Sequence, residues 1–258
     1  MDTIGISLTA QPSKTWMALV SWEDGKAELQ VLQHGVNNFE VGQVTSSSDI
    51  VGISCPFGWP KPFTDFVTRY SADQHGGSLV GSVPSDSGMR YRFTAHLVKQ
   101  LAPGINPPSA LSGSAAVATL RCATILAECG QTPASIGHNS YPTKFVEVYP
   151  PASLSQWGLP YTGYKSASGQ KLLVSMVTKL VTFTAFAGPW LKLDRWLDTC
   201  QTEVGAFEAV ICALTARAVA LERAISPHTP PEHHAAASEG WIWVPNEQSL
   251  SQLNTEPR

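Results

Sequence analysis

The feature that most constrains this chain is the spacing of its first four apolar runs. Thr3 to Leu8, Thr15 to Trp22 and Ala27 to Leu32 are separated only by the turn signals Gln11-Pro12-Ser13-Lys14 and Glu23-Asp24-Gly25-Lys26. Connections this short join strands antiparallel, so the first third of the chain predicts a three-stranded meander. A fourth run, Ile50 to Ser54, follows a polar segment and stops abruptly at Cys55-Pro56-Phe57-Gly58-Trp59-Pro60. Beyond it, helical and strand patterns alternate. Pro62 to Tyr70 places Phe63, Phe66, Val67 and Tyr70 on one helical face, and Arg90 to Leu101 and Ala115 to Cys129 also read as helices. Lys144 to Tyr149 is a strand ended by Pro150-Pro151, and Ser168 to Val181 is a helix. The strongest helical period lies in Ala206 to Ala224, where Phe207, Val210, Ile211, Leu214, Ala218 and Leu221 recur at spacings of three and four.

A meander followed by alternating helices and strands implies a mixed α/β sheet with helices on its faces. This is the order of an RNase H-like domain, although other α/β folds share it. The stretch from Asp73 to Ser114 is rich in Gly, Ser and Pro and predicts loops around the Arg90 to Leu101 helix. Ser226 to His234 reads as a Pro-rich loop with solvated histidines, and Gly240 to Pro245 as an aromatic-rich extended segment. With no internal repeat and no low-complexity linker, residues 1–245 are expected to form one domain. The polar tail, 246–258, is expected to be mobile.

Composition then narrows the function classes. The chain has 258 residues, of which 43% are hydrophobic, enough for a sizeable core. Only 14% are charged, the formal net charge is -3, and no three Lys or Arg cluster, so nothing predicts the basic face that nucleic acid requires. The five cysteines (Cys55, Cys122, Cys129, Cys200, Cys212) include no CxxC pair, which argues against a zinc site or disulfide framework and for a reducing, cytoplasmic setting. The N-terminus lacks the basic and apolar regions of a signal peptide. The most apolar stretch, Leu172 to Leu191, is interrupted by Lys179 and Gly188-Pro189, so no membrane span is expected.

Several blocks resemble a bacterial family, the domain of unknown function 429, whose members are predicted to be RNase H-like nucleases. They include Ile4-Gly5-Ile6-Ser7-Leu8-Thr9-Ala10-Gln11-Pro12, Val51-Gly52-Ile53-Ser54-Cys55-Pro56-Phe57-Gly58-Trp59-Pro60, Arg90-Tyr91-Arg92-Phe93-Thr94 and Leu120-Arg121-Cys122-Ala123. Further on come Val146-Glu147-Val148-Tyr149-Pro150-Pro151-Ala152-Ser153-Leu154, Trp157-Gly158-Leu159-Pro160 with Gly163-Tyr164-Lys165, Ala206-Phe207-Glu208-Ala209 and Glu239-Gly240-Trp241-Ile242. The blocks run in the family's order along nearly the whole chain. The resemblance also implies where acidic residues are missing: Ser7, Ser54, Ala95, Gly113 and Val204-Gly205 stand where the family carries carboxylates, and Glu208 replaces an Asp. Glu147 is unchanged.

Two-metal hydrolysis needs carboxylate oxygens around two ions about 4 Å apart. A serine hydroxyl is uncharged at neutral pH, so Ser7 and Ser54 each remove a negative charge from such a site. The candidate catalytic residues are therefore Glu147, Glu208 and Cys55, with Ser7, Ser54, Arg92, His96, Tyr149 and Lys165 expected to line the cleft. Each has a plainer reading: Glu147 satisfied by a neighbouring cation, Glu208 by the start of a helix, Cys55 as a small buried hydrophobe. No metal ligand set and no cofactor is assigned.

A cleft that lost carboxylates but kept aromatics such as Phe57, Trp59, Tyr149, Trp157, Tyr161 and Tyr164 suits a small organic ligand, with Arg92, Lys144 and Lys165 placed to recognise a carboxylate or phosphate. The expected function is an RNase H-like scaffold that has lost two-metal nuclease activity and uses the former cleft for ligand binding or metal-independent chemistry on a small molecule. The alternatives are a non-catalytic regulatory or protein-binding module and a weak metal-dependent nuclease using Glu147 and Glu208. The sequence does not assign an oligomeric state.

Overall fold

The computed structural model describes residues 1–72, 86–102, 104–134, 144–185 and 189–256. The strands β1 Asp2–Ser7, β2 Trp16–Glu23, β3 Lys26–His34, β4 Ile50–Ile53, β5 Phe145–Glu147 and β6 Leu191–Lys192 form one sheet in the spatial order β5-β4-β1-β2-β3-β6. β1, β2 and β3 are the expected antiparallel meander, whereas β4 and β5 add in parallel on the far side of β1. β7 Ala224–Ile225 and β8 Val244–Pro245 pair separately. The described helices are α1 Asn38–Ser47, α2 Lys61–Ala72, α3 Asp86–Arg90, α4 Phe93–Leu101, α5 Gly113–Glu128, α6 Pro150–Gln156, α7 Gln170–Ala185, α8 Leu197–Thr202, α9 Val204–Ala220 and α10 Pro230–Glu239. The mixed sheet with helices on both faces is the arrangement expected of an RNase H-like fold.

Alternation along the strands sorts the two faces. Ile4, Ile6, Val51 and Ile53 pack on one side with Ala118, Cys122, Ile125 and Leu126 of α5. The opposite side is filled by α9, which is buried on every side from Ala206 to Val219 and mostly apolar there, as a helix enclosed by core must be. Two glycines set its approach. A Cβ on Gly5 would collide with the backbone of Ala209, and one on Gly52 with that of Cys212. Gly5 and Gly52 are register partners in β1 and β4. Two residues further along each strand, Ser7 and Ser54 face the same way by alternation, towards the first turns of α9.

Three segments depart from the expectations. Asn37 and Glu40 form a capping box that starts α1 inside the supposed polar connection. Thr229 and Glu232 form another, with Pro at the first helical turn, so Pro230–Glu239 is a helix rather than a Pro-rich loop, with His233 and His234 exposed on it. The tail expected to be loose is packed: Leu250 and Leu253 are buried, and Arg217 of α9 donates to the carbonyls of Leu253 (3.1 Å) and Thr255 (2.6 Å). Two apolar side chains in a polar stretch suffice to anchor it. The loop expected from Asp73 lies outside the described residues as far as residue 85, as do His138 and Gly188. Among the described residues no helix is long and apolar enough to cross a membrane.

Candidate functional site

A cavity of about 330 Å³ opens where β1, β4 and β5 end. Ser7, Ser54, Cys55 and Glu147 reach it from the strand ends, and Glu208 from the start of α9. Arg92, Tyr149 and Lys165 reach it from the adjoining segments. Eight of the nine residues expected to form the site thus line one cavity. His96 does not: Thr94, Ala95 and Val98 take the buried face of α4, so His96 points outward, with its ring edge-on to Tyr91 at 6.2 Å. Lys144 is likewise elsewhere, beside Cys129 in a separate hollow. Of the aromatics expected in the cleft, Tyr149 lines it, whereas Phe57, Trp157 and Tyr164 are buried in the core.

Glu147, the last residue of β5, is 2% exposed and fully engaged. Arg92 grips both of its oxygens: Nη1 donates to Oε2 at 2.8 Å and Nη2 donates to Oε1. The backbone N–H of Phe57 donates to Oε2 at 3.0 Å. Burial alone would lower the Arg92 pKa, but the Glu147 charge outweighs it and holds the guanidinium above its ordinary value. Gly240 closes the back of this pair. Its φ of 84° suits glycine, and a Cβ there would press on Phe57, Glu147 Oε2 and Arg92 Nη1.

Glu208 has partners of its own. The Tyr164 hydroxyl donates to Oε1 at 2.7 Å, and the Lys165 ammonium lies 2.5 Å from the same oxygen. Burial, with the Glu208 charge, pushes the phenol of Tyr164 up and that of Tyr149 to about 12. Both therefore stay neutral near physiological pH. Tyr149 donates to the carbonyl of Asn106, fixing the stretch whose Pro107 and Pro108 complete the wall.

The remaining polar groups are hydroxyls and one thiol. Ser7 and Ser54 have no side-chain hydrogen-bond partner among the described residues. Cys55 is 4% exposed and sits against Cys122, whose hydrogen bond with the Cys55 thiol, together with burial, raises the Cys122 pKa well above the ordinary thiol value. Among the described residues neither a His nor a free carboxylate stands beside Cys55 to activate it.

These residues do not fit a two-metal centre. The strand positions carry hydroxyls, and both oxygens of Glu147 are committed to a cation that a metal ion would have to displace. Glu208 offers one uncommitted oxygen. Among the described residues no group of three or more His, Cys, Asp or Glu is placed to hold a metal ion.

Two participants escaped the sequence reading. Glu239 accepts from the amides of Lys61 (2.7 Å) and Phe93 (2.7 Å), tying α10 to the segment that carries Arg92. The start of α5, at Ser114 and Ala115, forms part of the cavity wall. For Glu239 the signal was its place beside Gly240; for α5 it was the small-residue run Ser112-Gly113-Ser114-Ala115.

No curated protein and no solved structure matches the chain. The family of proteins of unknown function DUF429 matches residues 5–233, which span β1 to α10. The chain belongs to the DUF429 family.

Proposed function

We propose that this chain keeps an RNase H-like scaffold without two-metal hydrolysis and uses the cavity at the strand ends to bind a small molecule. The observation that carries this reading is the two-point grip of Arg92 on Glu147. The one carboxylate unchanged from the family's pattern is neutralised by a buried guanidinium, and freeing it for a metal would leave the buried Arg92 without its ion-pair partner, at a cost of several kcal/mol. The cavity falls at the small end of the range for ligand pockets. With a net charge of -3 and no basic cluster, a nucleic-acid substrate is disfavoured.

Binding is favoured over turnover because, among the described residues, the cavity holds no free general base: both carboxylates are paired, and Cys55 has neither a His nor a free carboxylate beside it. The test is calorimetric titration with Mn²⁺ and Mg²⁺, on the native chain and on Glu147→Gln, alongside nuclease assays on DNA and RNA and a thermal-shift screen of small metabolites. The expected result is no micromolar metal binding, no cleavage, and stabilisation by a small molecule. Micromolar Mn²⁺ binding that vanishes in Glu147→Gln would restore the nuclease reading.

A further inference from the structure

We propose that the ligand of this cavity carries an oxyanion, a phosphate ester or a carboxylate, held between the start of α5, the Ser7 hydroxyl and the Lys165 ammonium. The proposal rests on the reading of the cavity as a small-molecule site and names the chemistry that site selects.

α5 is sixteen residues long, and its first turn reaches the cavity at Ser114 and Ala115. Its N-cap residue Ser112 makes no side-chain cap hydrogen bond, and no acidic side chain lies in the first turn. The opening amides are thus left without a side-chain acceptor, at the helix end that carries roughly half a positive charge. An oxyanion is the natural acceptor for such groups.

Ser7 supplies an independent sign. It is only 5% exposed, it lines the cavity, and its hydroxyl has no partner among the described residues. The hydroxyl opens to the cavity, so its donor is available to whatever fills the space. Lys165 adds charge. It spends one of three donors on Glu208 and is half exposed, which leaves donors for a second oxyanion.

The two carboxylates in the wall do not oppose this. Glu147 is balanced by Arg92 and Glu208 by Lys165, so the formal charges of the cavity cancel. What remains uncompensated is the positive end of α5. The helix start, Ser7 and Lys165 all line this one cavity.

The experiment is a two-dimensional amide NMR titration of the full chain with inorganic phosphate, methyl phosphate and acetate at constant ionic strength. It is repeated on Ser7→Ala and on Ser114→Asp, a first-turn acid that suits helix stability while repelling an anion. Saturable shifts at the Ser114 and Ala115 amides are expected, about tenfold weaker binding in Ser114→Asp, and a smaller loss in Ser7→Ala. The phosphate and acetate arms tell which oxyanion is preferred. The proposal fails if no oxyanion gives saturable shifts at these amides, or if Ser114→Asp binds as tightly as the native chain. If uncharged metabolites bind while oxyanions do not, only this inference falls. Mn²⁺ binding lost in Glu147→Gln removes the underlying reading instead.

Discussion

Arg92 and Glu239 clasp each other in both directions: Arg92 Nη1 donates to the Glu239 carbonyl at 2.9 Å, and the Glu239 carboxylate accepts from the amide of Phe93, next to Arg92, at 2.7 Å. Glu147 sits inside this clasp, and Phe57 and Gly240 close it. Four sequence blocks far apart in the chain therefore meet at one buried knot, and Gly58 is part of it, since a Cβ there would meet the Glu239 carbonyl at 2.8 Å. The carboxylate at the end of β5 therefore holds the scaffold together.

Glu147→Gln keeps the shape of the side chain but removes the charge paired directly with the buried Arg92, leaving it only the weaker influence of Glu239. The expected loss of stability is about 3–5 kcal/mol in urea unfolding. Adding Arg92→Met to Glu147→Gln should cost much less than the sum of the two single changes, because the second change removes the stranded charge. Strictly additive losses would mean that the two residues do not act as a pair.

Gly240→Ala and Gly35→Ala compare the knot with an open turn. Both glycines have positive φ, 84° and 77°, but Gly240 combines it with a ψ of 167°, a conformation that essentially only glycine adopts, at a cost of about 1–3 kcal/mol to any other residue. Gly35 has nothing within 4 Å of its added Cβ, whereas Gly240 has Phe57, Glu147 and Arg92 at 3.0–3.2 Å. The Gly240 variant should lose roughly 1–3 kcal/mol more than the Gly35 variant. Equal losses would show that the knot yields without strain.

The meander, the parallel additions and α9 were legible because apolar periodicity and short turns are local signals, and the strand ends then located the cavity. Thr229 and Glu232 show what was not. Their capping box begins a helix in a stretch where Pro and His suggested a loop, and proline at a first turn favours a helix instead of breaking it. His96 was misplaced for a related reason: its position in the chain is near the cleft, but the helical phase set by Thr94, Ala95 and Val98 turns it outward. The partner of Glu147 lies 55 residues away, and only tertiary structure could select Arg92 among the basic residues.

The thiols offer a check on the candidate nucleophile. Cys122 and Cys212 are fully buried and held well above the ordinary thiol value, Cys122 through its contact with Cys55 as well as burial, and Cys212 through burial. Cys200 is raised to about 12 by burial. Cys129 is partly exposed. With Ellman's reagent at neutral pH, one thiol, Cys129, should react quickly, and the rest only on unfolding. Rapid modification of Cys55, detected by peptide mapping and suppressed by a cavity ligand, would instead argue for an accessible nucleophile in the cavity.

The cap of α10 makes the last prediction, and it concerns pH. Burial pushes the Glu232 carboxyl up, but the amides of His228 and Thr229, the Thr229 side chain and the neighbouring His228 outweigh it and hold the pKa below its ordinary value. A carboxylate whose folded pKa lies below its unfolded one contributes stability above the unfolded value and loses it as pH falls through the folded value. Glu232→Gln removes this contribution while keeping the size of the side chain. The native chain should therefore exceed the variant by about 1 kcal/mol at neutral pH, and the gap should close as the pH falls below the ordinary carboxylate range. Urea unfolding across that range measures it. A gap that stays constant into acid would mean that the cap works through its shape and hydrogen-bond geometry, and not through the charge on Glu232.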